Sequence, residues 1–284
     1  MLRIAVLLAL ALIYAAFDMF NNRNVPNYFV YASVIIAAVI TLTYPLHTVY
    51  VSALVAIVIF ALGYMIYRKG FLGAGDVFEF VAISLVLPIQ PAPMLADVSQ
   101  FGLPFIFSVF VTTGYASLIG IVIYYLFVAR RSPMEKDFRI ERQRISSAAV
   151  LLISYIIMLA FVYMAFRITI AALVLVLLIA VPSALVIVYE RKINMRMVAM
   201  VYPAELEEGD MIATNLMKRS EIRYFKSKAN GFGRLATNSL ISEIKGIKRR
   251  LPVYRNAVPL AFFVLVGVVV SLIVGNVLLL IVTL

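Results

Sequence analysis

No cysteine occurs in the 284 residues, which excludes disulfides, thiolate zinc sites and cysteine nucleophiles. The chain has one histidine, His47, so a His-rich metal site is excluded too. Charge is scarce: 14% of residues are charged and 64% are hydrophobic, against about 25% and about 45–50% in soluble domains. The charge that remains is lopsided, with a formal net charge of +11. A basic balance can signal nucleic acid, but Lys and Arg also accumulate in the cytoplasmic loops of membrane proteins. Given the hydrophobicity, the second reading holds and no nucleic-acid partner is expected. The chain shows neither internal repeats nor a low-complexity tract. It reads as an all-α integral membrane protein, a polytopic helix bundle embedded in lipid.

Crossing a bilayer takes about 20 apolar residues per helix. Eight segments qualify as candidates, at about 2–20, 28–44, 49–67, 77–94, 103–128, 147–166, 168–189 and 257–283. The first, with Arg3 ahead of its apolar run, resembles a signal peptide. No small-residue cleavage site leads from it into a soluble domain, so it is expected to remain as a helix. The fourth is the weakest, because Pro88, Pro91 and Pro93 follow its short apolar run.

Loop charge gives the expected sidedness. If all eight segments cross and the loop 129–146 lies inside, that loop brings Arg130, Arg131, Lys136, Arg139, Arg142 and Arg144 to the cytoplasm. Arg23, Arg68, Lys69 and the many Lys and Arg of 190–256 fall on the same side. Of the 25 Lys and Arg, only Arg3 and Arg167 lie outside. This is a strong positive-inside bias, and turning the fourth segment back would destroy it. The expected protein is a multi-pass plasma-membrane protein with both termini outside. His47 then lies in an outer loop as a surface residue. Arg3 and Arg167 snorkel to the outer interface, and Tyr28, Tyr31, Tyr44 and Tyr50 join the interfacial belt.

Four regions follow. Residues 1–130 form a transmembrane core. Residues 131–189 add a basic loop and two further spans. Residues 190–256 make a small basic cytoplasmic α/β insertion, and 257–284 a last span. Within the insertion, 198–202 reads as a strand and 239–251 as a helix. That helix has Leu240, Ile241, Ile244, Ile247 and Leu251 on one side and Lys245, Lys248, Arg249 and Arg250 around the rest. It either lies on an anionic membrane surface or covers the small domain.

Two aspartates interrupt this apolar pattern. Asp18 ends the first span, in FDMFNNRNVPN, and Asp76 opens the fourth, in FLGAGDVFEF. An Asp within a spanning segment costs about 2.5–3.5 kcal/mol or more unless it is paired or functional. Either one alone is accounted for by an interfacial ion pair, Asp18 with Arg23 or Arg68. Both on one membrane face, the second behind Gly73-Ala74-Gly75, point to a catalytic pair. Gly70, Gly73 and Gly75 permit positive φ and close backbone approach, so that a substrate main chain reaches Asp76.

Two carboxylates without metal, histidine or thiol perform aspartic proteolysis. Like charges a few Å apart share one proton. The ionised member takes a proton from the attacking water, and the protonated member serves the scissile carbonyl and the leaving amine. Asp76 lies at a helix N-terminus and Asp18 near a helix C-terminus. The helix dipoles, at about 0.3–1 kcal/mol each, predict Asp76 as the resting anion and Asp18 as the proton holder.

Asp18 followed by Arg23-Asn24-Val25-Pro26-Asn27, and then Gly73-Ala74-Gly75-Asp76, resembles the prepilin and preflagellin peptidases, the G-x-G-D membrane aspartic proteases. The resemblance covers about the first 130 residues. It implies that Asp18 and Asp76 are catalytic, that Gly73 and Gly75 shape the active-site loop, and that no cofactor is needed. It also implies cleavage, at the cytoplasmic face, of short basic class III-type leaders from type IV pilin-like or archaellin precursors. The pattern departs in three places. The stretch from Asp18 to Val25 is one residue longer than in many members. Phe78 stands where many carry Lys, followed by Glu79. Eight spans exceed the family core of about six. The lack of cysteine is closer to archaeal members than to bacterial ones with a Cys-rich domain. Glu79 and Arg23 are candidates for tuning the pair or meeting the substrate, although a glutamate in a helix's first turns is also ordinary.

Two other readings stay open. Presenilin and signal-peptide-peptidase proteases share G-x-G-D, but carry the partner aspartate in Tyr-Asp on the preceding span and have a Pro-Ala-Leu motif. This chain has Phe17-Asp18 three spans earlier and no such tripeptide. A transporter with paired carboxylates places them near the midplane on broken helices, with inverted repeats, and none is visible here.

Overall fold

The computed structural model describes residues 1–21, 25–70, 72–89, 91, 104–132, 135, 138–166, 170–229, 231–256 and 258–275. Among these residues ten α-helices follow in order: α1 (Leu2–Phe20), α2 (Asn27–Thr41), α3 (Leu46–Arg68), α4 (Ala74–Val86), α5 (Phe105–Ile123), α6 (Arg142–Phe166), α7 (Ile170–Met197), α8 (Arg219–Lys228), α9 (Asn238–Ile244) and α10 (Leu260–Val274). Two short strands, β1 (Ala199–Val201) and β2 (Leu251–Val253), pair antiparallel.

Among the described residues, not all of the eight expected spans reach crossing length. Among the described residues five helical segments are long and apolar enough: Leu2–Phe20, Leu46–Arg68, Phe105–Val128, Arg142–Met164 and Leu173–Met197. Helices α2 and α10 have 15 described residues each, and α4 has 13. At 1.5 Å per residue α4 is about 20 Å long, short of a hydrocarbon core of about 30 Å. It ends because Pro88 pushes Leu87 out of the helical region, to φ −133° and ψ 78°. Its loose carbonyls find donors on α2 and the turn beyond it. The Thr41 hydroxyl donates to the Leu85 carbonyl at 2.8 Å, and the Tyr44 hydroxyl to that of Val86 at 3.3 Å. Arg3 stacks on the Tyr44 ring at 3.6 Å and donates to the Thr43 carbonyl and hydroxyl.

α4 is apolar around its whole circumference apart from its carboxylates, and a helix of that kind is buried on all sides. It packs against α1, α2, α3, α5 and α10. Phe80, Val81, Ile83, Val86 and their neighbours form the main core with Leu7, Leu10 and Ala11 of α1, Phe105 and Val109 of α5, and Val264 and Val268 of α10. Small and hydroxylated residues let α5 and α10 approach closely, as in membrane helix pairs. The Thr112 hydroxyl bonds the Gly267 carbonyl at 2.9 Å and the Ser271 hydroxyl at 2.8 Å. A Cβ at Gly267 would fall 2.9 Å from the Thr113 backbone nitrogen.

The hairpin of α6 and α7 packs on α5 through α7. Only 6% of the apolar window of α6 is buried within the chain. Exposed Val150, Ile153, Ile156, Ile157 and Phe161 make an apolar face too large for water and suited to lipid.

The segment after α7 builds a second, smaller core. Phe225 and Phe232 stack at 5.1 Å and join Val201, Leu206, Ile212, Leu240, Ile244, Leu251 and Val253. The helix expected over 239–251 is shorter. α9 stops at Ile244, the chain turns, and Leu251 begins β2. Leu240, Ile244 and Leu251 are all buried in this core, so the apolar side covers the small domain rather than a membrane. The loop after α5 is tied to α7. The Glu135 carboxylate receives Arg196 through two hydrogen bonds of 3.0 and 3.1 Å, with Lys192 at 3.6 Å. Arg196 also donates to the Tyr125 carbonyl in the π-helical turn Tyr124–Val128 that ends α5.

Candidate active site

The sequence Gly-Ala-Gly-Asp starts α4. Gly73 is the N-cap and Asp76 the third residue of the helix. The Asp76 carboxylate turns back and accepts the Gly73 N–H at 3.0 Å, which is the carboxylate half of a capping box. The glycines matter here for space rather than for backbone sign. Gly73 has φ −74°, and of Gly70, Gly73 and Gly75 only Gly70, at +68°, is left-handed. A Cβ on Gly73 would lie 2.9 Å from Asp76 Oδ2, where the carboxylate now sits. One on Gly75 would lie 3.3 Å from the Val25 side chain. The pair therefore lets the Asp76 carboxylate fold back and the Val25-Pro26 turn close over the helix start.

Asp18 lies in the last turn of α1, buried at 9% exposure. Its Oδ2 accepts the backbone N–H of Ala261 at 3.0 Å. Ala261 is the second residue of α10, just after the N-cap Pro259. The positive end of α10 thus meets the carboxylate that the negative end of α1 carries, in the manner of anion sites at helix N-termini. The dipole asymmetry expected between Asp18 and Asp76 takes only α1 into account on the Asp18 side. With α10 present, both carboxylates sit at helix N-termini, and the dipoles no longer single out one of them as the proton holder.

α1 packs on α4, and Asp18, Asp76 and Glu79 are close enough for their charges to act on one another. The two aspartates, separated in sequence by α2 and α3, therefore share one site. Glu79 is not the exposed first-turn glutamate that its position allows. It is 1% exposed, and neither of its oxygens has a hydrogen-bond partner among the described residues. Beside it, one turn before Asp18, is Tyr14, also within its electrostatic reach. The Tyr14 hydroxyl is 2.7 Å from the Ser33 hydroxyl of α2, which donates to the Val30 carbonyl. The Phe78 ring meets those of Tyr31 and Phe60. Arg23 lies outside the described residues. No three His, Cys, Asp or Glu among the described residues converge as a metal-ligand set.

Sequence reasoning missed Tyr14, Ser33 and the Ala261 N–H. A tyrosine and a serine in apolar helices carry no distinctive signal. A backbone donor 243 positions away carries none at all.

The apolar helices and the acidic cluster at the meeting of α1, α4 and α10 define a class, a multi-pass membrane protein with a buried carboxylate site. Residues 5–125 match the model of the type IV leader peptidase family. No curated protein and no solved structure matches the chain at a significant level. The match ends before α10, so the helix whose N-terminus holds Asp18 lies outside the family segment.

Proposed function

We propose that the protein is a membrane aspartic endopeptidase in which Asp18 and Asp76 are the catalytic pair. It removes short basic leaders from type IV pilin-like or archaellin precursors at the cytoplasmic membrane face. The observation that carries this reading is the meeting of Asp18 and Asp76 within one another's field, although two helices separate them in sequence. One carboxylate takes a proton from the attacking water while the other hydrogen-bonds the scissile carbonyl and then protonates the leaving amine. Protonation belongs to the pair as a unit. The missing side chain at Gly73 lets the Asp76 carboxylate fold back on the Gly73 N–H, which holds it at the helix start. The positive-inside pattern supports the cytoplasmic location. The match of 5–125 supports the leader-peptidase chemistry over a transporter.

The test is reconstitution of the purified protein in liposomes with a precursor carrying a class III-type leader, followed by mass spectrometry of the products. A single cut at the end of the leader is expected. An intact precursor overturns the reading.

A further inference from the structure

Glu79 is the carboxylate of the site that the hydrolytic scheme leaves without a task. It is buried, both its oxygens lack partners among the described residues, and no described Lys or Arg forms an ion pair with it. A buried carboxylate with nothing to accept from is rare and calls for an occupant. Its position says which. Three residues beyond Asp76, it lies about 4.5 Å further into α4. Tyr14 lies one turn back from Asp18 on α1, so both helices carry a second polar layer on the bundle side of the aspartates. Around that layer, Tyr14, Val30 and Ala261 pack with Val25, Phe29 and Phe78.

Peptide hydrolysis generates the matching group. Water adds to the carbonyl, the C–N bond breaks, and the leaving nitrogen takes the proton of the acid aspartate. The pair recovers its single proton from the water. The new carboxylic acid then ionises and the amine becomes an ammonium. The segment that carries this ammonium is the apolar one, which runs into the bilayer, while the leader stays with the aqueous face. The ammonium therefore forms on the bundle side of the pair, where Glu79 lies.

We propose that Glu79 is the counter-ion for the amine that hydrolysis releases, an ammonium subsite on the membrane side of the scissile bond. This rests on the proteolytic reading above. In the resting structure the subsite is closed, and a substrate opens it by entering between α1 and α4.

Product inhibition tests this without relying on turnover alone. Cleavage by the native enzyme is measured against an apolar helical peptide with a free N-terminus and against its N-acetylated twin. The free amine is expected to inhibit at least about tenfold more strongly, as for a charge-assisted bond. In Glu79→Gln the two peptides should inhibit within about twofold of one another, and Glu79→Asp should keep part of the difference. A residue that only fills space would leave the ratio untouched. Equal inhibition of the native enzyme overturns the proposal whether or not any variant folds, and so does a ratio unchanged in Glu79→Gln. A native enzyme that cuts but does not discriminate contradicts only this subsite. One that does not cut removes the proteolytic reading and the subsite with it.

Discussion

At the residue scale the two aspartates of the site each accept a backbone N–H. Asp76 is held by the Gly73 N–H and Asp18 by the Ala261 N–H. Backbone donors do not swing away as side chains do, which suits a pair that must hold its geometry through a reaction. Gly73 is then the most sensitive neighbour. In Gly73→Ala the added methyl needs the space of the Asp76 carboxylate. We expect cleavage to fall about a hundredfold, as for small misplacements of reacting groups, with the helical circular dichroism unchanged. Gly75→Ala meets only the Val25 side chain, which can give way, and should lose less. The aspartates were legible in the sequence because a carboxylate at the end of an apolar run is costly unless it is paired or functional. Glu79 was legible as a residue but not as a buried one. Its burial comes from the packing of α1 and α10 around α4, and neighbouring sequence does not encode that.

At the element scale, hydropathy located the apolar helices among the described residues but not their ends. The apolar pattern of the fourth segment runs on past Pro88, whereas hydrogen bonding stops at Val86, where Thr41 and Tyr44 supply the missing donors. The helix expected over 239–251 breaks after Ile244 because Leu251 is claimed by strand pairing with Val201. In both cases a long-range partner decides a local boundary. The link between the loop after α5 and α7 is a further long-range contact, and it is pH-sensitive. Burial alone would raise the Glu135 carboxyl, but the hydrogen bonds and charge of Arg196, with Lys192, outweigh it and hold Glu135 below the usual carboxylate range. A lowered folded value stabilises above the ordinary Glu value of about 4.3 and loses that contribution as pH falls through the folded value. Protection of the segment 124–132, measured relative to its intrinsic exchange rate, should therefore hold from neutral pH down to about pH 4.3 and fall on further acidification. Glu135→Gln should exchange fast throughout. Equal protection of native and variant at pH 7 would show that the ion pair does not anchor the loop.

At the scale of the whole molecule, a central buried helix brings two distant carboxylates together, and a late helix closes the site. α10 follows the small polar domain in sequence and delivers the Ala261 donor to Asp18. The domain and the site are therefore joined through the short stretch between β2 and α10. The proposed orientation rests on loop charge, and the lack of native cysteine makes it directly measurable. Arg131→Cys should react with a membrane-impermeant maleimide only from the cytoplasmic side, and His47→Cys only from the opposite side. Exchanged accessibilities would invert the assignment of the catalytic face, and labelling of both from one side would contradict the crossing pattern itself. The most direct measurement of the central claim compares precursor cleavage by the native protein, Asp18→Asn, Asp76→Asn and the double variant. If the two carboxylates act as a unit, each single variant loses at least about a thousandfold and the double variant loses little more. A single variant that retains much of the native rate, or losses that simply multiply in the double variant, would contradict a shared catalytic pair.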